Sequence, residues 1–344
     1  MSNNNVEPPP EAAALFRMTF GFVASQALYV AADLGIADYL AHGPLTAHDL
    51  AGKTGAHADA LLRLLRLLVV LGVVQCDDQN RFLLTSTGAL LRTEVPGSLR
   101  ATIRFLTGPW YWRAWEHLSH SIRTGTPAFD HAWGMSNFEY WERHADVSVI
   151  HDDAMAGVTA LETARVLAAY DFSPFSTIVD VGGGNGALLA AVLRQHPQSR
   201  GILADLPHVV TQATETLQQA GVTARCQVVG GDFFETVPPG GDLYVLKHVI
   251  HDWDDARARK IFQHCHDAMS AAATLLIIDC VLPQQPTSEA AMGYFVDMTM
   301  LVGAPGGRER TEEEFQQLLA SVGFTLTRVI RAGGLADIIE ARKR

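Results

Sequence analysis

Two rhythms of apolar and polar positions divide the chain. From about residue 11 to 100, apolar residues recur at helical spacing with short interruptions. The segment LFRMTFGFVASQALYVAADLGIADYLAHG is apolar nearly all round its helical surface and predicts a helix that needs cover on more than one side. DALLRLLRLLVVLGVV predicts a shorter amphipathic helix ending near Gly72. VVQCDDQNRFLLT predicts two short strands around a polar turn from Asp77 to Asn80, and helices followed by a small hairpin make a winged-helix pattern. From about residue 176 the rhythm changes. STIVDV, SRGILAD, RCQVVGGD, DLYVLKHVI and ATLLIID are short apolar runs separated by helical segments such as ALLAAVLRQH. They predict parallel strands covered on both faces. GFTLTRVIRAGGLADIIEARKR predicts a closing antiparallel hairpin. The expected class is α/β: a Rossmann-like domain with a C-terminal hairpin, preceded by a mainly helical, winged-helix-like domain.

Composition narrows the function. The 344 residues are 48% hydrophobic and carry a formal charge of −11, without a long basic run. That argues against nucleic acid or an anionic membrane as the main partner and suits a cationic small molecule. The candidate recognition helix, Leu61 to Leu71, offers only Arg63 and Arg66 to DNA, so a dimerisation or packing module is expected instead. The start, MSNNNVEPPPEAA, has no basic or apolar signal region and reads as a disordered tail over residues 1–10. No apolar run reaches the ~18–20 uncharged residues of a membrane span. Cys76, Cys226, Cys265 and Cys280 are scattered, as in a reduced, cytoplasmic protein. Five of the six tryptophans lie between residues 105 and 141; they predict a packed core that also lines a pocket for a flat apolar ligand.

Polar residues collect where the strands end. Asp180, Asp205, Asp232 and Asp279 close four predicted strands, and Lys247 with His251 closes the fifth. Ligands of open α/β sheets bind at such carboxyl ends. In VDVGGGNGALL, the glycines Gly182, Gly184 and Gly186 let the backbone turn tightly ahead of a helix N-terminus. Asp205, 25 residues beyond Asp180, can accept from two ribose hydroxyls. GGGNGA also satisfies the dinucleotide pattern, so a nicotinamide dehydrogenase is an alternative, as is a winged-helix regulator that senses a small molecule. Three features favour S-adenosylmethionine: the acid Asp180 ahead of the glycines, the acid-aromatic pair Asp232 and Phe233, and the closing hairpin. His251 then stands at the loop mouth, where a neutral imidazole can deprotonate a phenol of pKa ~10. Asp279 or Glu309 can fix its tautomer. No metal is expected: His248 and His251 show no obvious third ligand, and His264 and His266 point about 200° apart on a helix.

VDVGGGNG, ADLPHVV, GGDFFETVP, LKHVIHDWDD, LLIIDCVLP and GGRERTEEEF stand in the order and spacing of the plant-type small-molecule O-methyltransferases. The likeness is to their bacterial natural-product branch and extends to the N-terminal SQALYVAADLGIADYL, which resembles that family's dimerisation domain. The resemblance implies a class I fold and methyl transfer from S-adenosylmethionine to an aromatic hydroxyl, leaving S-adenosylhomocysteine. It implies His251 as general base flanked by Asp279, shorter than the glutamate frequent in the family, and Glu309. It assigns Asp180, Gly182, Gly184, Gly186, Asp205, Leu206, Asp232, Phe233 and Lys247 to the cofactor, and Met155, Asp252 and Met298 to the acceptor. Family members that methylate nitrogen or carbon keep those outcomes open. The expected division is a tail (1–10), a dimerisation domain (11–100), linking helices contributing to the acceptor pocket (101–165) and a cofactor-binding catalytic domain (166–344). A homodimer is expected, with Leu15 to Leu40 at its interface.

Overall fold

The computed structural model describes residues 9–344; the first eight residues of the expected tail lie outside the described residues, and Pro10 already opens a helix. The chain forms two compact units. One runs to Pro109 and takes in Asp146–Gly157; the other holds Trp110–Ala145 and Val158–Arg344.

In the first unit the expected apolar helix is broken into Pro10–Thr19, Gly21–Asp33 and Ile36–Leu40. Gly35 turns the chain with φ +63°, which only glycine adopts readily. The breaks let Ala27, Ala31, Ile36 and Leu40 reach one core, with Leu61, Leu65 and Leu68 from the helix Ala58–Val70. Leu15, Phe16, Met18, Phe20 and Phe22 remain exposed. The 24-residue stretch Pro10–Asp33 is, by length and composition, apolar enough to cross a membrane, although Arg17 interrupts it and no uncharged run reaches the length of a span. The hairpin forms as expected from β2 (Val74–Cys76) and β3 (Arg81–Leu84), but an unexpected β1 (Leu45–Thr46) pairs with the other side of β3.

The second unit is built on a seven-stranded sheet. Its strands are β4 (Thr177–Val181), β5 (Arg200–Asp205), β6 (Cys226–Gly230), β7 (Leu243–Lys247), β8 (Thr274–Asp279), β11 (Phe324–Ile330) and β12 (Asp337–Lys343). Their order is β11-β12-β8-β7-β4-β5-β6, parallel from β8 to β6, with β12 antiparallel between β8 and β11. Side chains alternate as a two-faced buried sheet requires. Tyr244, Leu246 and Ile277 pack in one core with Phe262 and Phe315; Leu243, Val245 and Ile278 pack in the other with Leu189 and Leu193. The chain leaves β4 outward to β5 and β6, then returns to β7 and β8. The order therefore switches at β4 and β7, and their carboxyl ends flank the crevice.

Three expectations change. The fourth strand stops at Lys247, and His251 sits in a 3₁₀ turn, Ile250–Asp252, rather than ending the strand. β6 stops at Gly230, two residues short of Asp232. A separate parallel pair, β9 (Val281–Leu282) and β10 (Arg310–Thr311), escaped the pattern because two-residue strands carry no periodicity. Among the aromatic residues, Tyr111, Phe129, Tyr140 and Trp141 are buried against one another, mostly edge to face, so these four build core.

Candidate active site

The turn after β4 is shaped by contacts that exclude side chains. Gly182 has φ +70°, and a Cβ there would lie 2.8 Å from Val249 Cγ2 and 3.5 Å from the Phe233 ring. A Cβ on Gly183 would lie 2.6 Å from Asp180 Cγ, so this fourth glycine, absent from the residues assigned by sequence, is also required. The Gly182 amide donates to Ala204 O at 2.8 Å. The helix Ala187–Gln195 follows Gly186. Asp205 fastens the turn from the next strand: its Oδ2 accepts from the Gly184 amide at 2.8 Å and its Oδ1 from the Leu206 amide at 2.7 Å. Asp232 Oδ1 accepts from the Phe234 amide at 2.7 Å and caps its own turn, while Leu206 is exposed. A cavity of about 320 Å³ lined by Val181, Ile202, Ala204, Gly231 and Phe233 opens beside this loop.

Asp180 carries the test of what this cradle holds. It is 2% exposed, and its Oδ2 has no hydrogen-bond partner among the described residues. Burial, reinforced by the charge of Asp205 and only partly opposed by Lys247, pushes its carboxyl up to about 7. A buried acid with an open oxygen beside a glycine turn is completed by a cationic ligand. S-adenosylmethionine, with an ammonium and a sulfonium, fits that donor set.

His251 lies across the crevice in the 3₁₀ turn that follows β7, its side chain 12% exposed. Its Nδ1 is 2.8 Å from Glu309 Oε1, and Glu309 is 2% exposed. The segment around Glu309 grips the turn at further points. The Arg308 amide donates to His251 O at 2.8 Å, and the Glu309 amide donates to Asp297 Oδ1 at 2.9 Å. Arg310, 1% exposed, donates to the carbonyls of Ile250 and Trp253 and to Asp255 Oδ1. Gly307 leaves room for this approach, since a Cβ there would stand 2.9 Å from His251 O. Burial alone would lower the His251 pKa. The charges of Glu309 and Asp252, the Glu309 hydrogen bond and Asp279 overcome it and push the imidazole up to about 10. Asp252 Oδ1 stands 3.7 Å from His251 Nε2, the nitrogen turned away from Glu309.

The other assigned residues are distributed unevenly. Asp279 is fully buried, yet makes no hydrogen bond to His251; its Oδ1 is 3.5 Å from His248 Nδ1. Lys247 is paired with Glu162 at 2.8 Å and donates to Thr159 Oγ1 at 3.3 Å. Glu162 also holds His248 Nε2 at 2.8 Å. Glu162 was missed by the sequence reading because its partners lie more than eighty residues away; a lone acid in the apolar run VTALETARVL was its one signal. Met298, half-buried, follows Asp297 on the helix Ala291–Gly303. Met155 belongs to the first unit and is 39% exposed.

Asp279 supplies the third group that the histidines were expected to lack: ligand atoms of His248, His251 and Asp279 lie within 4.8 Å of one another. One nitrogen of each ring is already committed to a carboxylate. The grouping is an ionic network.

Residues 115–325 match the model of the O-methyltransferase domain, and residues 16–94 match the O-methyltransferase dimerisation domain. The chain belongs to this O-methyltransferase family. It is an S-adenosylmethionine-dependent methyltransferase, and the apolar stretch Pro10–Asp33 falls largely within its dimerisation domain. It is 43% identical to a phenazine O-methyltransferase of Lysobacter antibioticus, over 99% of this chain and 98% of that one. It is 36% identical to an 8-amino-8-demethylriboflavin N,N-dimethyltransferase of Streptomyces davaonensis, over 98% and 97%. A crystal structure of an O-methyltransferase from neocarzinostatin biosynthesis, in complex with S-adenosylmethionine and 2-hydroxy-5-methyl naphthoic acid, superposes with a TM-score of 0.80 at 34% identity, covering 93% of this chain and 96% of that one.

Proposed function

We propose that this enzyme methylates a hydroxyl on an aromatic natural product, with His251 as general base. The observation that carries this reading is the buried pair of His251 Nδ1 and Glu309 Oε1 at 2.8 Å. Glu309 fixes the ring so that Nε2 faces the acceptor, and it stabilises the imidazolium formed when the hydroxyl proton arrives. S-adenosylmethionine, when bound, supplies an electrophilic methyl that needs no further activation. Asp180, the glycine turn, Asp205, Leu206, Asp232 and Phe233 hold it; Lys247 contributes through Glu162. Asp252 and Met298 face or flank the acceptor. N-methylation is the second reading, since a relative is an N,N-dimethyltransferase. The His251–Glu309 pair favours oxygen, because a hydroxyl acceptor must lose a proton before it attacks.

The chain works as a cytoplasmic homodimer. Supporting this are the matched dimerisation domain, the exposed Leu15, Phe16, Met18, Phe20 and Phe22, and four cysteines without disulfides. Residues 11–100 serve dimerisation, 101–165 contribute to acceptor binding, and 166–344 bind the donor and carry the chemistry.

His251→Ala decides the base. It should retain S-adenosylmethionine binding by calorimetry and lose ~10²–10⁴-fold in turnover, the size of a general-base contribution. Turnover near the wild-type value would overturn the assignment. Mass spectrometry of products from a panel of phenols and aromatic amines would separate oxygen from nitrogen acceptors.

A further inference from the structure

Beneath the base runs a buried ionic row. Glu162 Oε2 lies 2.8 Å from Lys247 Nζ and 2.8 Å from His248 Nε2. The other ring nitrogen of His248 faces Asp279 Oδ1 at 3.5 Å. Among the described residues, neither oxygen of Asp279 has a hydrogen-bond partner. A neutral imidazole has one N–H to give; a ring set between two carboxylates satisfies both as the imidazolium. The His248 ring is stacked on His251, centroids 5.1 Å apart and planes 25° from parallel. To reach this position the His248 backbone adopts φ +51°, a left-handed conformation that costs a non-glycine residue on the order of 1 kcal/mol. Strain kept at such a point is accounted for by what the side chain does there.

We infer that His248 is a positioning residue for His251: pinned between Glu162 and Asp279, it holds a fixed positive face against the ring of the base. This rests on the reading of His251 as base. The groups facing His251 directly are Glu309, Asp252 and Asp279, all acidic, and together they favour a protonated ring that must shed its proton before each transfer. Lys247 is neutralised by Glu162, and Arg310 is paired with Asp255. Asp297 is engaged by the Glu309 amide. Among the described residues, His248 is the cation whose ring is stacked on the base. The opposing shifts agree with this picture: burial works against charge on both partners, yet Glu162 is held down to about 2 and His248 is raised.

The test is the pH profile of kcat/KM for the acceptor, at saturating donor, in three variants. His248→Gln can still donate to Glu162 but carries no charge; His248→Phe keeps the ring alone; His248→Lys restores a cation. In the two neutral variants the acid limb should move up by about one pH unit, with turnover at neutral pH falling about tenfold and recovering at high pH. S-adenosylmethionine affinity should stay within about threefold, and His248→Lys should bring the limb back toward wild type. An unmoved limb in folded His248→Gln would overturn the inference, and this variant decides alone if His248→Phe does not fold. A loss of turnover equal at every pH would show a purely structural residue and also overturn it. Active His251→Ala would sink the base reading itself; inactive His251→Ala with an unmoved limb in His248→Gln would sink this inference alone.

Discussion

The guanidinium of Arg310 donates to the carbonyl of Ile250 at 3.1 Å, so the residue after the base's acidic partner holds the residue before the base. Arg310 is buried and carries four such bonds, two of them to Asp255, whose side chain is 46% exposed. Arg310→Leu would take the Arg310 donor from the Trp253 carbonyl and leave the Ile250 carbonyl with the Trp253 amide alone. The expected cost is ~2–4 kcal/mol, the Asp255 contribution being discounted for solvent. Urea denaturation should show that loss. Turnover should fall more than donor affinity, because the His251 turn is loosened and the glycine turn is not.

The His251 imidazole, with its pKa pushed up to about 10 by Glu309 and its neighbours, should titrate far above an ordinary histidine. NMR of the donor-free enzyme should place its midpoint well above 6.5. Glu309→Gln should lower that midpoint by at least about one unit. The linked stability has a definite sign. A raised folded-state pKa contributes fully below the unfolded value, near 6.5, and the contribution is lost as pH rises toward about 10. The stability gap between wild type and Glu309→Gln should thus be widest near pH 6 and shrink as the solution becomes alkaline.

Asp205 does two jobs. Its oxygens hold the Gly184 and Leu206 amides, and in the function proposed above they also accept from the donor's ribose. Asp205→Ala should weaken S-adenosylmethionine binding roughly 10- to 100-fold by calorimetry. It should also lower the melting temperature of the donor-free enzyme, which a residue that met only the ligand would not do.

The exposed Phe16, Phe20 and Phe22 bear on assembly. Light scattering of the wild type at micromolar concentration should give about twice the chain mass. Phe16→Glu together with Phe20→Glu should shift the population toward monomer. A wild type that stays monomeric would refute the dimer.

Much of this was legible in the sequence because its signals are local. The five parallel strands announce themselves as short apolar runs, and the glycine turn with Asp180 and Asp205 stands within 25 residues of chain. His251 was found for the same reason, as a histidine placed where an apolar run ends. What was not legible depends on partners distant in sequence. Nothing near Lys247 shows that Glu162 takes its charge. Nothing near Asp279 shows that its shorter side chain meets His248 rather than His251. Gly183 looked interchangeable with its neighbours until the Asp180 carboxyl was placed against it. The long N-terminal helix was over-read because periodicity does not register a single break such as Gly35.

The donor cradle and the base pair differ in how far the chain must travel to make them. Gly184 meets Asp205 across 21 residues, whereas His251 meets Glu309 across 58. The shorter loop closes at lower entropic cost, and the longer one also needs the helix Ala291–Gly303 and the small β9–β10 pairing in place. Local opening of the segment from residue 284 to 311 would therefore disarm the enzyme without emptying it. A molecule in that state keeps its hold on the methyl donor but has no oriented base. Losing the contacts of that segment would thus cost the base its orientation before it cost the glycine turn its shape.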